Sequence, residues 1–434
     1  MVIEYNNDRL ILYHFYMKTK EQYFTAGEAA VKLGISIDTI RRWDKGGLIK
    51  SFRNERNDRI FSLEEIKRIQ NKTQSSNSKN KYKILTNKKS SPYTVIELFA
   101  GAGGTALGME NAGIKHVLLN ENDKHACETL RINKPNWNVV EEDVRKLSFT
   151  EGQADIVQGG FPCQTFSYAG RKMGFEDIRG TLFFEFARCV KEVRPKIAIG
   201  ENVKGLLNHD NGRTLKTMVA VLEDLGYRVK CKVLKSQYFD VPQKRERLII
   251  IGVRKDLDIP ISFPKEKDYI IPLREALYKC PKSEGQEYPA SKKKIMDLIP
   301  PGGYWRNLPE KLQKEYMGAS FFMGGGKTGI ARRLSLDEPS LTLTCSPAQK
   351  QTERCHPLET RPLSVREYAR IQTFPDNWKF AGSVAQQYKQ IGNAVPVNLG
   401  YYIGDNIVKM LNGEIKEEEE EPIMYRQQVF SFAT

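Results

Sequence analysis

Cysteine and histidine are scarce in this chain, and neither is clustered. Seven cysteines (Cys127, Cys163, Cys189, Cys231, Cys280, Cys345 and Cys355) and five histidines are spread over 434 residues, with no Cys-x-x-Cys pair. That spacing argues against a zinc site or a disulfide framework and fits reduced thiols, so no metal is expected. Long apolar runs are missing too: none approaches the ~20 residues that span a bilayer. The apolar-aromatic patch at residues 10–16 lacks the basic start and cleavage pattern of a signal peptide. A cytoplasmic place, the nucleoid of a bacterium or archaeon, is the expectation. Positive charge is what the chain has in excess. Sixty-eight Lys and Arg against 53 Asp and Glu leave a net charge of +15, and residues 1–92 carry 19 basic and 10 acidic residues. Such a balance favours a polyanionic partner through counterion release.

The pattern of residues divides the chain into seven stretches. An N-terminal extension (1–22) precedes a compact basic unit (23–70) and a polar linker (71–92). From residue 93 to 254, short apolar runs alternate with amphipathic helices, which is the signature of a parallel sheet with crossover helices. Strands are expected at 94–99, 115–121, 138–140, 154–158, 196–201, 228–234 and 247–253. Leu215, Met218, Val219, Leu222 and Leu225 repeat at helical spacing and form one buried stripe. The alternation fails over 255–360, where Pro, Gly and Lys suggest an irregular strand-and-loop domain. It returns over 361–413, with helices expected at 363–373 and 395–411. An acidic tail (414–434) ends the chain.

Chemistry concentrates in four segments. Gly159-Gly160-Phe161-Pro162-Cys163-Gln164-Thr165-Phe166-Ser167 follows an apolar strand and puts a thiol where open α/β sheets hold ligands. Phe99-Ala100-Gly101-Ala102-Gly103-Gly104 is a glycine-rich strand-to-helix turn of the kind that lets a ligand approach the backbone. Glu121 ends the next strand, where a carboxylate meets ribose hydroxyls, and Asp143 follows the third, in reach of an adenine amine. Glu201-Asn202-Val203 and Gln243-Lys244-Arg245-Glu246-Arg247 complete the set. Gly324-Gly325-Gly326-Lys327-Thr328 looks like a phosphate-binding loop but lacks the first glycine and a preceding strand, so nucleotide hydrolysis is rejected.

In that order the segments resemble the motifs of DNA (cytosine-5) methyltransferases. The resemblance implies an α/β fold: a Rossmann-like S-adenosylmethionine-dependent methyltransferase domain with an inserted target-recognition domain. It implies Cys163 as the thiolate adding at cytosine C6, Glu201 at N3 and Arg247 at O2, supported by Gln164, Asn202 and Arg245. The cofactor would be lined by Phe99, Ala100, Gly101, Gly103, Gly104, Glu121, Asn122, Asp143, Val144, Pro162 and Leu182. Asn393, Ala394 and Val395 of Gln390-Ile391-Gly392-Asn393-Ala394-Val395-Pro396 would close the pocket. Asn122 stands where many members place a bulky apolar group.

Double-stranded DNA is the implied partner, met by Arg171 and Lys172 of a glycine-punctuated loop and by Arg332, Arg333 and Thr342 of the recognition block. Residues 23–70 resemble the winged helix-turn-helix of MerR and excisionase proteins, with Arg41, Arg42 and Arg53 facing DNA. The expected enzyme modifies DNA beside a restriction endonuclease, or alone, and works as a monomer. Two alternatives stand beside it: an RNA cytosine-5 methyltransferase, and a transcriptional regulator built on a methyltransferase scaffold.

Overall fold

The computed structural model describes residues 22–33, 40–41, 43–44, 49–54, 56–74, 82–87, 89–162, 182–322 and 327–415. The chain forms two compact units that divide between Lys81 and Tyr82. In the first, β1 (Tyr23–Thr25) leads into α1 (Ala26–Leu33), and a hairpin of β2 (Phe52–Arg53) and β3 (Arg59–Ser62) leads into α2 (Leu63–Gln74). The strands form an antiparallel sheet in the order β1-β3-β2. Thr25 and Glu28 start α1 as a reciprocal cap: Thr25 N–H donates to Glu28 Oε2 (2.8 Å) and Glu28 N–H to Thr25 Oγ1 (3.4 Å). Phe24, Ala29, Ala30, Ile40, Ile49, Phe61 and Ile66 form this unit's own core. Leu33 and Trp43 pack at its edge.

The second unit is built on a seven-stranded sheet. Its strands are β4 (Thr94–Leu98), β5 (Lys115–Glu121), β6 (Val139–Glu141), β7 (Ile156–Gly159), β8 (Ile197–Val203), β9 (Tyr227–Lys235) and β11 (Glu246–Arg254), in the order β6-β5-β4-β7-β8-β11-β9. From β6 to β8 every neighbouring pair is parallel, while β11 runs antiparallel to both β8 and β9. Seven strands were expected and seven form, each within two residues of the expected bounds. Side chains alternate across the sheet: Ile96, Val157, Ala198, Leu248 and Ile250 enter one core, while Val95, Ile156, Ile197, Ile249 and Ile251 enter the other.

Helices α5 (Leu182–Val193) and α6 (Arg213–Asp224) cover the first face, and the expected stripe buries Leu215, Met218, Val219 and Leu222. Helices α3 (Gly104–Asn111) and, near the C-terminus, α12 (Val397–Leu411) cover the second. The strand order reverses beside β4, and ligands of open α/β sheets sit at the carboxyl ends of the strands there.

Between β11 and the C-terminal helices, where an irregular strand-and-loop domain was expected, the chain also forms helices. It holds short helices α7 (Leu273–Leu277), α8 (Ala290–Asp297) and α9 (Glu310–Met317). The two-residue β12 (Ser340–Leu341) pairs in parallel with β10 (Gln243–Lys244). Tyr288, Met296, Ile299, Trp305, Leu308 and Met317 give it a separate apolar cluster, which loop composition conceals. Helices α10 (Val365–Ile371) and α11 (Val384–Asn393) precede α12. The linker expected over 71–92 is shorter than its composition suggests. Helix α2 runs to Gln74, and the chain from Tyr82 is docked: Leu85 N–H donates to Asn398 Oδ1 (3.0 Å), and Ser91 N–H to the Gly113 carbonyl (2.8 Å). Among the described residues no helix is long and apolar enough to cross a membrane.

Candidate active site

Parallel pairing of β7 and β8 brings their carboxyl ends to one edge. Gly160-Phe161-Pro162 leave β7 there, towards Cys163; Cys163, Gln164, Arg171, Lys172 and Arg42 lie outside the described residues. Phe161 is buried, its ring edge-on to Phe183 with centroids 5.3 Å apart, whereas Pro162 is exposed. Asn202 Nδ2 donates to the Phe161 carbonyl (2.9 Å), and Asn202 Oδ1 accepts from Val203 N–H (2.8 Å). A buried amide on β8 thereby fixes the chain two residues before Cys163. Asn202→Ala is expected to leave that carbonyl unpaired at a cost of about 1–3 kcal/mol. Single-turnover kinetics should show slower methyl transfer, and calorimetry should show cofactor affinity little changed.

Glu201 precedes Asn202 near the end of β8, and antiparallel β11 sets Arg247 opposite Val203. Arg247 Nε lies 2.7 Å from Glu201 Oε1, with the two side chains 11% and 14% exposed. The approach is close but off-line, so Glu201 Oε1 accepts no aligned hydrogen bond. Burial pulls the Arg247 guanidinium below its ordinary value, and the Glu201 carboxylate opposes that pull. Gly160 abuts the same carboxylate: a Cβ there would stand 3.2 Å from Glu201 Oε2. An acid and a guanidinium therefore meet beside the segment that leads to Cys163, as chemistry on a pyrimidine ring requires. Gly160 was not singled out in the sequence; its place in the quoted motif was the available signal.

Arg245 does not join them. It is wholly buried, and its Nη groups donate to backbone carbonyls of Leu343 (3.2 Å), Gly392 (3.0 Å) and Asn393 (3.3 Å). Burial pushes its pKa well below the ordinary arginine value. Arg245 lies between β10 and β11, outside the strand that carries Arg247: Arg247 reaches the acid and Arg245 reaches the protein interior.

The glycine-rich turn lies at the carboxyl end of β4. Phe99 (φ 59°) and Gly101 (φ 54°) adopt left-handed conformations, which costs a non-glycine residue about 1–2 kcal/mol. A Cβ on Gly101 would have nothing within 4 Å, so that backbone borders open space. Gly104 is the opposite case, because its Cβ would stand 2.1 Å from the Val395 carbonyl oxygen. The final motif, with Ala394 and Val395 buried and Asn393 exposed, thus backs the turn. Gly103 is required by packing, since its Cβ would meet Leu130 at 2.7 Å.

Glu121 at the end of β5 ties the turn down: Oε2 accepts from Gly101 N–H (2.8 Å), and Oε1 from Asn122 (2.8 Å) and Asp123 (2.9 Å) N–H. Oε2 keeps a lone pair for a hydroxyl. Open space over Gly101, next to that carboxylate, fits an adenosyl group bearing a ribose diol. Leu182 is half-buried at the start of α5, Ala100 is buried, and Val144 is buried in the core.

Three expectations need correction. Asp143 is already engaged: both of its oxygens accept from Arg145 Nε (2.9 and 3.0 Å), and these bonds hold its carboxyl down at about 2. An adenine amine would have to share it with that guanidinium. Arg332 and Arg333 are not a DNA-facing pair. Both are buried; Arg333 donates to the Met296 carbonyl (2.7 Å) and Thr360 Oγ1 (2.8 Å), and Arg332 stacks over Tyr304 with 5.7 Å to the ring centroid. Thr342 is spent internally, its hydroxyl donating to the Lys244 carbonyl at 2.7 Å. In sequence Arg332 and Arg333 suit contact with DNA; in the fold, Met296 of α8 and Thr360 hold Arg333, and Tyr304 covers Arg332. Arg41 and Arg53 are exposed as expected.

Sheet order, turn and acid–guanidinium pair together define a Rossmann-like methyltransferase domain. Residues 93–409 match the model of the C-5 cytosine-specific DNA methylases, and residues 24–72 that of the MerR HTH family regulatory proteins. The chain belongs to the C-5 cytosine-specific DNA methylases, which use S-adenosylmethionine as methyl donor. It is 56% identical over 405 residues to the Type II methyltransferase M.Eco47II of Escherichia coli, covering 90% of this chain and 97% of that protein. It is 52% identical over 414 residues to M.PspPI of Psychrobacter sp. (strain TA137), covering 92% and 99%. A crystal structure described as a DNA modification methyltransferase encoded within an E. coli prophage shares the fold. Its TM-score is 0.54 at 26% identity, over 74% of this chain and 99% of that one.

Proposed function

We propose that this enzyme methylates C5 of a cytosine turned out of a specific DNA duplex, with Cys163, Glu201 and Arg247 acting on the ring. Carbon 5 of cytosine is a poor nucleophile. Addition of the Cys163 thiolate at C6 makes it an enamine carbon, and the charge that builds on N3 and O2 needs an acid and a cation. Once C5 carries the methyl group, loss of the C5 proton expels the thiolate from C6 and restores the C5–C6 double bond. Glu201 donates at N3 and accepts from the exocyclic amine; Arg247 neutralises O2. When bound, S-adenosylmethionine supplies the electrophilic methyl group. The 2.7 Å Glu201–Arg247 contact beside Gly160 carries this reading.

Residues 255–360 read the target sequence, and the N-terminal unit adds a second duplex contact through Arg41, Arg42 and Arg53. Arg171 and Lys172 grip phosphates beside the flipped base. The enzyme works as a monomer in the nucleoid, protecting DNA against a partner endonuclease. Bisulfite or nanopore mapping of plasmid DNA from a host expressing the chain gives the target. A duplex with that sequence and 5-fluorocytosine at the methylated position is then expected to form a covalent complex that survives a denaturing gel, because fluorine cannot leave as the C5 proton does. Host methylation without any such adduct would refute the thiolate mechanism.

A further inference from the structure

The Gln243-Lys244-Arg245-Glu246-Arg247 segment supplies two buried side chains that touch neither the acid–guanidinium pair nor solvent. Gln243 Oε1 accepts from Leu343 N–H (2.9 Å), and Arg245 Nη1 donates to the Leu343 carbonyl (3.2 Å). Both polar groups of one backbone residue in the 255–360 block are thus held by one segment. The same two side chains reach the end of α11. Arg245 Nη2 donates to the Gly392 and Asn393 carbonyls (3.0 and 3.3 Å). Gln243 Nε2 donates to Gln372 Oε1 (2.7 Å), and Gln372 Nε2 donates to the Ile391 and Ala394 carbonyls (2.7 and 3.0 Å).

A helix leaves its last carbonyls without partners in the helix, and its C-terminus carries partial negative charge. Here a buried cation and a buried amide meet those carbonyls, and the residues they fix, Ile391 to Ala394, lead directly into Val395, which with Ala394 backs the Gly104 turn. The two anchored segments also touch directly: a Cβ on Gly392 would stand 2.1 Å from the Thr344 carbonyl oxygen.

We infer that Arg245, with Gln243 and Gln372, is a positioning residue that sets the cofactor wall and the segment around Leu343, just after β12, from one point. The inference rests on the cofactor-pocket and recognition readings above. Lysine preserves the charge, but its ammonium cannot span carbonyls on two separate segments as a guanidinium does. Arg245→Lys is therefore expected to weaken S-adenosylhomocysteine binding about tenfold or more. It should also lower discrimination between the mapped target duplex and one with a single altered base pair. A merely destabilised enzyme would lose active molecules, lowering kcat and leaving KM for S-adenosylmethionine in place; here KM rises. Gln243→Met, which keeps the volume and Arg245, should shift both readouts in the same direction by less.

Calorimetry with S-adenosylhomocysteine and steady-state kinetics on the two duplexes, on full-length proteins shown to be folded by thermal melting, decide the matter. Joint loss in either variant supports the inference. Wild-type values for both readouts, or a change in one alone, overturn it. If the wild-type protein itself bound no S-adenosylhomocysteine, the cofactor-pocket reading would fall first.

Discussion

Cys163→Ser is expected to lower methyl transfer by at least about 10⁴-fold while leaving target binding intact. The hydroxyl is a far weaker nucleophile than a thiolate. Asn202 and Phe161 hold the chain two residues upstream through backbone contacts that a side-chain exchange at 163 leaves alone. Arg247→Ala provides the contrast. Losing a preorganised charge at the ring costs about 10²–10³ in rate, and it also strands the nearly buried Glu201 carboxylate. Breaking such a pair costs about 3–5 kcal/mol. Arg247→Ala should thus lower both turnover and melting temperature, and Cys163→Ser turnover alone. Gel-shift affinity, single-turnover rates and thermal melts separate the two. Near-normal turnover by the serine variant would remove the nucleophile assignment.

Gly104→Ala should be the more damaging of two substitutions in the glycine-rich turn. Its methyl group would meet the Val395 carbonyl oxygen at 2.1 Å, and a backbone atom cannot swing aside. Relief requires α3 and the final motif to part, at about 1–3 kcal/mol or more, and those are the elements that form the cofactor wall. Stability and cofactor binding are expected to fall together. Gly101→Ala meets nothing within 4 Å, so it costs only about 1–2 kcal/mol of left-handed strain while placing a methyl group in the adenosyl space. Binding should fall with a small change in melting temperature. Paired melts and calorimetry check the contrast; equal melting temperatures for Gly104→Ala and wild type would show that the wall yields.

Much of this arrangement was legible in one dimension. Apolar alternation placed all seven strands of the large sheet, because a strand buried on both faces leaves a dense local signal. The turn at 99–104 and the acid at 201 were legible for a related reason: chemistry at strand ends depends on short, contiguous segments. Cation placement was not. Arg245 and Arg247 are two residues apart and would share one face of a continuous strand, yet the strand is interrupted at Arg245, and one arginine faces a carboxylate and the other the end of α11. Arg332 and Arg333 have the composition of a DNA-contacting pair and lie buried, Arg333 against Met296 and Thr360 and Arg332 against Tyr304. Gln372 stands just past the end of α10, with Arg366, Glu367, Arg370 and Thr373 close by in sequence, so nothing local marks it as a buried brace.

The sequence by itself determined the sheet, the order of its motifs and the kind of reaction they serve, since each depends on local periodicity or on a few adjacent residues. Only the tertiary structure decided which guanidinium meets the acid, which arginines are internal braces and which glycines yield space to a ligand or to packing. Those outcomes turn on contacts between residues about a hundred or more positions apart, such as Arg245 with Leu343 and Gly392, or Gly104 with Val395. The free energy of burying a charge or adding a methyl group depends on what lies opposite, and no local pattern encodes it.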